Sequence, residues 1–289
     1  MKICFVIPMY NDEVNLKKLY IKIKKKFPSK KIDLYFVVIN DGSKDKFNYL
    51  KSISNLRLIN LKFNVGSQKA IQIGINYALK SDIMFEYMII MDSDGEDDPK
   101  YILPMIKKSK NEKNKAVIFA SRRKRNESIF FKFLYNVYKI MFKVFTWKSM
   151  DVGNFSIIHK NLIKEIIKIP NLGMHFSASI IHSKMKIEKV TSDKSERYSG
   201  VSKMNYKNLF FHAFKSLFIF RKKISLNLFF LFFLFSIIFN FFGFYNLKLT
   251  SIFLTFIFFI IFVISNYIQI LNDRNYLKNY VKNTKSSSK

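Results

Sequence analysis

The residues in this chain most able to do chemistry form an acidic run that directly follows a short apolar stretch. The apolar stretch covers residues 87–91, and the run that follows it is Asp92-Ser93-Asp94-Gly95-Glu96-Asp97-Asp98. Carboxylates two positions apart can face one cation together, and crowded carboxylates repel one another unless positive charge lies between them. The run therefore predicts a divalent-metal site, and we expect the metal to hold a diphosphate.

The acidic run belongs to a strongly basic chain. Lys and Arg number 50 against 20 Asp and Glu, which gives a formal net charge of +30. A charge of this size indicates an anionic partner such as nucleic acid, anionic lipid or a phosphorylated substrate. Part of the lysine excess is equally well explained by a biased composition on a solvated surface.

Several common cofactor and metal motifs are missing from the sequence. No Gly-x-Gly-x-x-Gly follows the first predicted strand, and no Gly-Lys-Ser/Thr phosphate loop occurs, so dinucleotide-binding and P-loop proteins both lose support. The four histidines lack metal-ligand spacing, and the single cysteine, Cys4, forms neither a zinc cluster nor a disulfide framework. Oxygen ligands together with phosphate favour Mg²⁺ or Mn²⁺.

The elements that must position the acidic run alternate between short apolar strands and amphipathic helices. The predicted strands cover residues 3–7, 34–39, 56–61, 87–91 and 116–120, and the predicted helices cover residues 13–27, 67–79 and 99–109. This alternation predicts a doubly wound, mostly parallel α/β sheet, in which ligands bind beyond the carboxyl ends of the strands. The polar residues at those ends are therefore the candidate site residues.

The C-terminal part of the chain has a different composition. Residues 224–247 and 249–271 contain no charged side chain, and each stretch exceeds the roughly 20 apolar residues that a helix needs to cross a bilayer. Basic residues flank the pair at both ends, whereas the tip between them carries only Lys248. The positive-inside rule then predicts a two-helix anchor in the cell (inner) membrane, with both termini and the N-terminal domain in the cytoplasm.

Two further segments have the pattern of helices that lie on a membrane surface. Residues 129–147 and residues 207–223 each combine a stripe of lysine and other polar residues with a wide aromatic face. This pattern is typical of interfacial helices. For the first segment, an ordinary core-packing helix remains the alternative.

Several segments of the chain resemble, in order, the signatures of the family 2 glycosyltransferases, which have the GT-A fold. The segments are Val6-Ile7-Pro8-Met9-Tyr10-Asn11-Asp12-Glu13, Asn40-Asp41-Gly42-Ser43-Lys44-Asp45, Asn64-Val65-Gly66 and the acidic run, which resembles the family's metal motif. Arg197-Tyr198-Ser199-Gly200-Val201-Ser202-Lys203 resembles an element of the polyprenyl-phosphate branch. That branch includes dolichyl-phosphate mannose synthase and bacterial undecaprenyl-phosphate glucosyltransferases, and its bacterial members commonly end in a transmembrane helix pair.

The resemblance implies a donor pocket at the strand ends. The matching residues are Pro8, Tyr10 and Glu13 along the nucleotide, Asp41 at the base, Arg122 at a phosphate, and Asp92, Asp94 and Glu96 at the metal. Glu96 takes the place of the family's usual Gln, and an extra carboxylate should tighten metal binding without changing the type of metal. The implied cofactor is Mg²⁺ or Mn²⁺.

The resemblance also implies an acceptor side. Arg197, Ser202 and Lys203 match residues that grip phosphate near the membrane surface, and Asp151 begins a segment that resembles the family's Asp-x-Gly-Asp-Phe element near the acceptor. Asn154 replaces the acid of that element, so Asp151 is the better candidate for a catalytic carboxylate there. With Asp94, the predicted catalytic set is Asp94, Asp151, Arg197 and Lys203.

These interpretations predict an order of domains along the chain. Residues 1–206 form the glycosyltransferase domain, 207–223 an interfacial helix, 224–271 the transmembrane pair and 272–289 a basic cytoplasmic tail. The predicted function is metal-dependent transfer of a sugar from a nucleotide sugar to a polyprenyl phosphate at the cytoplasmic face. A homo-oligomer is a further expectation.

Two other functions stay open. The same donor chemistry fits a glycolipid or lipid-linked saccharide acceptor, and the fold also fits a non-catalytic membrane scaffold. Nucleic-acid binding is a weaker competitor, because anionic lipid already accounts for the basic charge.

Overall fold

The computed structural model describes residues 1–28, 31–43, 53–122, 129–193, 195–200 and 206–275. Within these ranges, seven strands form one sheet. The strands are β1 Lys2–Met9, β2 Asp33–Asn40, β3 Leu56–Asn60, β4 Tyr87–Ile90, β5 Ala116–Arg122, β6 Val152–His159 and β7 Lys186–Ser192. The predicted doubly wound, mostly parallel α/β fold is confirmed.

The strand order is β3-β2-β1-β4-β6-β5-β7. β6 runs antiparallel to both of its neighbours, and the other strand pairs are parallel. The amino end of β6 therefore lies at the same sheet edge as the carboxyl ends of β1, β2, β4 and β5. We call this edge the site edge. β6 and β7 were not among the predicted strands.

The helices of the N-terminal domain lie between the strands along the chain. They are α1 Glu13–Lys26, α2 Ser67–Lys80, α3 Ile102–Asn111, α4 Ile129–Thr146, α5 Lys160–Ile166 and α6 Phe176–His182, with a 3₁₀ turn at Pro99–Tyr101 before α3. The predicted helices at residues 13–27, 67–79 and 99–109 correspond to α1, α2 and the 3₁₀ turn with α3.

The sheet is buried on both faces, because helices cover each of them. Successive side chains of a strand point to opposite faces. In β1, Cys4 and Val6 face a core shared with α2 and α4 to α6, whereas Ile3, Phe5 and Ile7 face a second core shared with α1 and α3. Burial on both faces explains why the central strands have nearly continuous apolar sequences.

Three helices follow the sheet: α7 Tyr206–Ile219, α8 Arg221–Phe241 and α9 Tyr245–Asn275. By length and composition, Arg221–Phe241 and Tyr245–Ser265 could each cross a membrane. They pack as a hairpin, in which the rings of Phe232 and Phe258 stack with centroids 5.4 Å apart. Most of the large apolar side chains on their outer surfaces are exposed.

The helix bounds differ from the predicted ones. The interfacial segment was expected to run to residue 223, but the chain turns at Phe220 and the basic residues 221–223 form the first turn of α8. Phe220 is buried in the core, which fixes the turn there. At the hairpin tip, α8 ends at Phe241, and Gly243 follows with a φ of 72°. α9 then begins at Tyr245, four residues before the predicted second stretch. Lys248 donates to Asn240 Oδ1 over 2.7 Å.

α4 is tied by its carboxyl end to the first two turns of α8. Lys223 Nζ donates to the Thr146 carbonyl over 2.9 Å, and Asn227 Nδ2 donates to the Phe145 carbonyl over 3.2 Å. The last carbonyls of a helix have no partner within it, and a cation near them is favourable. These two bonds therefore hold the end of α4 beside the start of α8.

Candidate active site

The acidic run forms a tight loop at the site edge, and two of its carboxylates hold the loop together. Asp97 Oδ2 accepts the Asp92 N–H over 3.1 Å. Asp98 caps the 3₁₀ turn by accepting the Lys100 N–H over 3.0 Å, and it forms an ion pair with Lys22 at 3.2 Å. Both side chains are buried. Asp97 and Asp98 thus stabilise the loop and leave Asp92, Asp94 and Glu96 as its candidate ligands.

Arg197 reaches this loop from a segment about a hundred residues further along the chain. Its Nη1 donates to Asp94 Oδ2 over 3.2 Å, and its Nη2 donates to Asp12 Oδ2 over 3.1 Å. Its Nε donates to the Ser199 carbonyl over 3.2 Å. The structure therefore brings together two predicted catalytic residues, Asp94 and Arg197, and adds Asp12 to them.

The segment that carries Arg197 lies directly on the acidic loop. The Tyr198 N–H donates to the Asp94 carbonyl, and the Ser195 N–H donates to the Glu96 carbonyl, each over 3.1 Å. Gly95 has a φ of 89°, and a Cβ placed there would be 2.3 Å from the Tyr198 ring. Only glycine tolerates both the left-handed backbone and this close contact. We call residues 195–200 the strap.

The environment of Asp94 is short of positive charge. Burial, together with the charges of Glu96 and Asp97, raises the pKa of its carboxyl to about 6, although the Glu96 N–H and Arg197 oppose the shift. A buried carboxylate in this setting gains from a nearby cation. The site thus has the electrostatic property that metal binding requires.

A metal at this loop could take its ligands from the protein alone or from the protein together with a bound diphosphate. In the described residues, no group of three or more His, Cys, Asp and Glu side chains is placed to hold a metal ion by itself. Mg²⁺ is commonly bound by one or two carboxylates plus waters and substrate phosphates. The predicted set of Asp92, Asp94 and Glu96 fits a metal that is completed by a diphosphate better than one enclosed by protein.

Asp12 was missed in the sequence interpretation, which assigned Glu13 to the nucleotide pocket. Glu13 is the first residue of α1. Asp12 precedes it, accepts from the Ser93 hydroxyl over 2.9 Å and from Asn15 Nδ2 over 2.8 Å, and pairs with Arg197. The only available signal was its place in the same motif as Tyr10, next to the expected start of a helix.

Asp41 is buried at the end of β2 and clasps the loop that follows β3. Its two oxygens accept the Val65 and Gly66 N–H groups over 2.7 and 2.9 Å. Burial raises the pKa of Asp41, while these two bonds act in the opposite direction. Gly42 has a φ of 72° and approaches the backbone of this same loop too closely for a side chain. Asp41 therefore fixes the loop that follows β3, and its contact with a base stays a prediction.

A chain of amides links Asp92 to α6. Asn154 Nδ2 donates to Asp92 Oδ1 over 3.4 Å, and Gln68 Nε2 donates to Asn154 Oδ1 over 3.1 Å. Gln68 Oε1 then accepts the Phe176 N–H over 2.6 Å. We call Asn154 and Gln68 the amide relay. Gln68 is buried and was missed, because nothing local in the sequence indicates its partners.

Asp151 is paired at the site edge. Lys189 of β7 donates to both of its oxygens, over 2.7 and 2.9 Å. The role predicted for Asp151 in catalysis stays a prediction, and a positioning role for it is now equally consistent.

The remaining predicted site residues have the following places. Pro8 is buried in β1, and Tyr10, which is 40% exposed, follows that strand at the site edge. The backbone of Arg122 ends β5, but its side chain lies outside the described part, and Ser202 and Lys203 lie outside the described residues altogether.

Two histidines meet beside the amide relay. The rings of His175 and His212 lie 4.2 Å apart, and His175 Nδ1 accepts the Ala178 N–H over 3.3 Å as the cap of α6. Burial lowers the pKa of His175, and it lowers the pKa of His212 to about 4. Both rings are therefore neutral at physiological pH and serve packing between α6 and α7.

Comparison with known proteins gives one family. The profile of glycosyl transferase family 2 matches residues 4–167. A glycosyltransferase of Synechocystis sp., itself uncharacterized, is 26% identical over 228 residues, which cover 76% of this chain and 70% of that protein. The bactoprenol glucosyl transferase of Shigella phage SfV is 25% identical over 211 residues, which cover 71% of this chain and 67% of that protein.

The solved structures show the same fold. Glucosyl-3-phosphoglycerate synthase from Mycobacterium tuberculosis, solved with Mn²⁺, UDP-glucose and phosphoglyceric acid, superposes with a TM-score of 0.55. It is 12% identical in sequence, and the match covers 77% of this chain and 79% of that one. At this sequence identity, the similarity shows that the two proteins share a fold. It does not show that they share a substrate.

Proposed function

Because the chain belongs to glycosyl transferase family 2, we propose that it transfers a sugar from a nucleotide sugar to a polyprenyl phosphate at a membrane surface. One observation carries the proposal: Arg197, matched to phosphate-gripping residues, is joined directly to Asp94 of the acidic loop. Donor and acceptor machinery therefore meet at one point of the site edge. The similarity to a bactoprenol glucosyl transferase supports a polyprenyl lipid as acceptor.

On the donor side, Asp94 and Asp92 hold the cation, with Glu96 as a further ligand. Mg²⁺ or Mn²⁺ bound there supplies Lewis-acid stabilisation of the departing diphosphate, worth several kcal/mol. Asp97 and Asp98 keep the loop in shape, and the amide relay orients Asp92 through the Asn154 contact. Tyr10, at the end of β1, and Asp41, at the end of β2, lie where a nucleotide would extend along the site edge.

On the acceptor side, Arg197 positions the phosphate and neutralises its charge. A guanidinium has five N–H donors, and three of those of Arg197 are used by Asp94, Asp12 and Ser199. The other two donors have no partner among the described residues and can face a substrate oxygen. A phosphate monoester is already largely ionised at neutral pH, so it needs positioning more than a general base. The paired state of Asp151 is compatible with that chemistry.

The membrane placement of the protein rests on three exposed apolar surfaces. α8 and α9 are long and apolar enough to span a bilayer. α4 exposes Phe133, Ile140 and Val144, and α7 exposes Phe210, Phe211 and Phe214. Because α4 is bonded to the first two turns of α8, its exposed face lies at the level where α8 would enter the membrane.

The test is to incubate membranes that contain the protein with labelled nucleotide sugars, Mn²⁺ and a polyprenyl phosphate, and to follow the label into the lipid extract. We expect one donor to label the lipid phosphate and the Asp94→Asn variant to give none. Lipid-linked saccharides and glycolipids are offered in parallel. Transfer only to acceptors with a sugar hydroxyl would show that the phosphate acceptor is wrong while the family chemistry holds.

A further inference from the structure

A cluster of basic side chains surrounds the junction of α4, α6 and α8. It consists of Lys148 after the end of α4 and Arg221, Lys222 and Lys223 in the first turn of α8. We call it the junction cluster. His182, the last residue of α6, lies against Phe220 with ring centroids 4.9 Å apart. Partial burial and the charges of all four basic residues lower the pKa of His182. Lys148 follows Trp147, whose ring centroid lies 4.7 Å from Lys223 Nζ, so the two basic segments meet there.

The lysines of the junction cluster are not paired with carboxylates within the described residues. In the part of the chain that the structure describes, Lys148, Lys222 and Lys223 form no ion pair with Asp or Glu. Lys223 instead donates to the Thr146 carbonyl, and its Nζ lies 4.7 Å from the ring centroid of Trp147. Lys148 is exposed, and Lys222 is half-buried. Like charges held together in this way call for an external anion.

The exposed Trp147 beside the cluster is a feature typical of a site at a membrane surface. Its indole is 74% exposed although it contacts Lys223. Trp is enriched where an aromatic ring lies at the level of lipid head groups. The exposed face of α4, with Ile140 and Val144, continues this apolar surface away from the cluster.

We propose that the junction cluster and Trp147 form a binding site for the head group of an anionic phospholipid, separate from the site where sugar is transferred. The cations hold the head-group phosphate, and Trp147 packs against the glycerol and the upper acyl chain. Basic pockets at the cytoplasmic ends of transmembrane helices bind lipid head groups in this manner. The proposal rests on the membrane placement of α8 given above and adds a lipid that is not a substrate.

Two observations separate this cluster from the amide relay and the acidic loop that the relay contacts. Phe176 contacts the amide relay, whereas His182 lies six residues further along α6, roughly 9 Å along the helix axis at 1.5 Å per residue. In addition, Arg221 donates from its two Nη atoms to the Phe218 and Ser265 carbonyls, each over 3.3 Å. Its guanidinium is therefore already engaged within the protein. The lysine ammonium groups act as point charges, which suits exchanging bulk lipids rather than one oriented phosphate.

Trp147 provides the measurement, because it is the single tryptophan of the chain. The full-length protein is placed in vesicles in which brominated acyl chains are carried either by phosphatidylglycerol or by phosphatidylcholine, at equal mole fraction. We expect brominated phosphatidylglycerol to quench the Trp147 fluorescence more strongly. This excess reports enrichment of the anionic lipid beside the indole.

The variant Lys148→Gln with Lys222→Gln removes two charges but keeps the Lys223 contact with the indole. The enrichment should fall by roughly fivefold for each lysine removed, as expected for a basic side chain near an anionic surface. The matched control is Lys25→Gln with Lys26→Gln at the end of α1, on the other face of the sheet. It makes the same change in net charge and should leave the excess quenching intact.

Three results would overturn the proposal. Equal quenching by the two brominated lipids in the unmodified protein would show that the cluster does not select anionic lipid. Quenching by neither would remove the membrane placement of α4 and α8 as well, which distinguishes the two failures. Displacement of brominated phosphatidylglycerol by polyprenyl phosphate, beyond that caused by equal added charge, would assign the cluster to the acceptor.

Discussion

The acidic loop at the site edge and the junction cluster handle charge in opposite ways. At the site edge, Asp94 pairs with Arg197 and Asp98 pairs with Lys22, each at 3.2 Å. At the junction, the described lysines have no carboxylate partner, and a carbonyl and an indole take their place. The first region pairs part of its charge internally and stays short of positive charge around Asp94, whereas the described lysines of the second have no opposite charge beside them.

This difference explains how one strongly basic chain can handle two kinds of ligand. In our proposal, the carboxylates of the acidic loop attract a cation, and the ion pair of Arg197 with Asp94 holds the loop before a cation binds. In our proposal, the junction cluster instead attracts anions, because its lysines have no carboxylate partner among the described residues. If the comparison is right, changes at the site edge should alter chemistry, and changes near the membrane should alter lipid contact.

The largest expected effect is that of Asp94→Asn. Loss of a metal-binding carboxylate should lower sugar transfer by about a thousandfold or more, because the Lewis-acid contribution is worth several kcal/mol. Binding of Mn²⁺ in the presence of the nucleoside diphosphate, followed by electron paramagnetic resonance, should fall as well. Asp33→Asn, at the exposed start of β2, is the matched control and should change neither quantity. Full activity in Asp94→Asn would refute the metal role.

Arg197→Gln should have the next largest effect. Charge-assisted hydrogen bonds are worth about 1.5–3 kcal/mol, so the loss of phosphate contacts should lower transfer about a hundredfold, with the acceptor KM changing more than the donor KM. Binding of Mn²⁺ without nucleotide should strengthen, because Asp94 no longer shares its charge with a guanidinium. Arg197→Lys restores the charge but not the fork, and it should recover only part of the activity. Weaker metal binding in Arg197→Gln would show that Arg197 supports the metal site instead of competing with it.

Gly95→Ala tests whether the strap must lie on the acidic loop. The methyl group would meet the Tyr198 ring and would impose a left-handed backbone on alanine. Together these should cost about 3 kcal/mol of unfolding free energy or displace the strap. Either result separates Arg197 from Asp94 and lowers transfer. Gly153→Ala, which has open space and no positive φ, should leave the melting temperature unchanged. Unchanged activity in Gly95→Ala would mean that strap docking is not needed.

The fold was predictable where burial leaves a local pattern. The strands β1, β2, β4 and β5 are apolar on both faces, so their runs are continuous and were located correctly. β6 is also central but was missed, because polar residues interrupt the first half of its sequence Val-Gly-Asn-Phe-Ser-Ile-Ile-His. β7 was missed because it lies at the end of the sheet order, where its sequence Lys-Ile-Glu-Lys-Val-Thr-Ser is mostly polar. Charged residues on an edge strand discourage pairing with other chains, and they also hide the strand from a search for apolar runs.

The site was predictable in part for the same reason. The acidic run is local, and its chemistry can be inferred from composition alone. The meeting of Asp94 with Arg197 joins residues 103 positions apart, and Gln68 meets Asn154 across 86 positions. Such contacts depend on how the strands are ordered. Only the resemblance to a family pointed to Arg197, and nothing pointed to Gln68 or to Lys189.

Gln68→Leu should have a smaller effect at the site edge. It leaves Asn154 Oδ1 and the Phe176 N–H without their partners, which costs about 1–3 kcal/mol of unfolding free energy. The Asn154 amide, which donates to Asp92, is then no longer held by Gln68. Sugar transfer should therefore fall several-fold, while nucleotide binding persists. Asn76→Ala, on the same helix, removes only a bond to the Gln72 carbonyl and serves as control. Equal losses in both variants would assign Gln68 to helix stability alone.

The smallest expected effect on stability is that of Ile140→Ser on α4. Because the substitution should barely change stability, any change in lipid contact can be assigned to the membrane-facing region. Ile140 is 63% exposed, whereas Phe142, two residues away on the same helix, is fully buried. In detergent, Ile140→Ser should change the unfolding free energy by less than about 0.5 kcal/mol, and Phe142→Ala should lower it by about 3–5 kcal/mol. In vesicles, Ile140→Ser should weaken the quenching of Trp147 by brominated acyl chains, because the outer face of α4 loses its apolar contact with lipid. If Ile140→Ser were as destabilising in detergent as Phe142→Ala, that outer face would pack against protein, and the contrast between the two regions would fail.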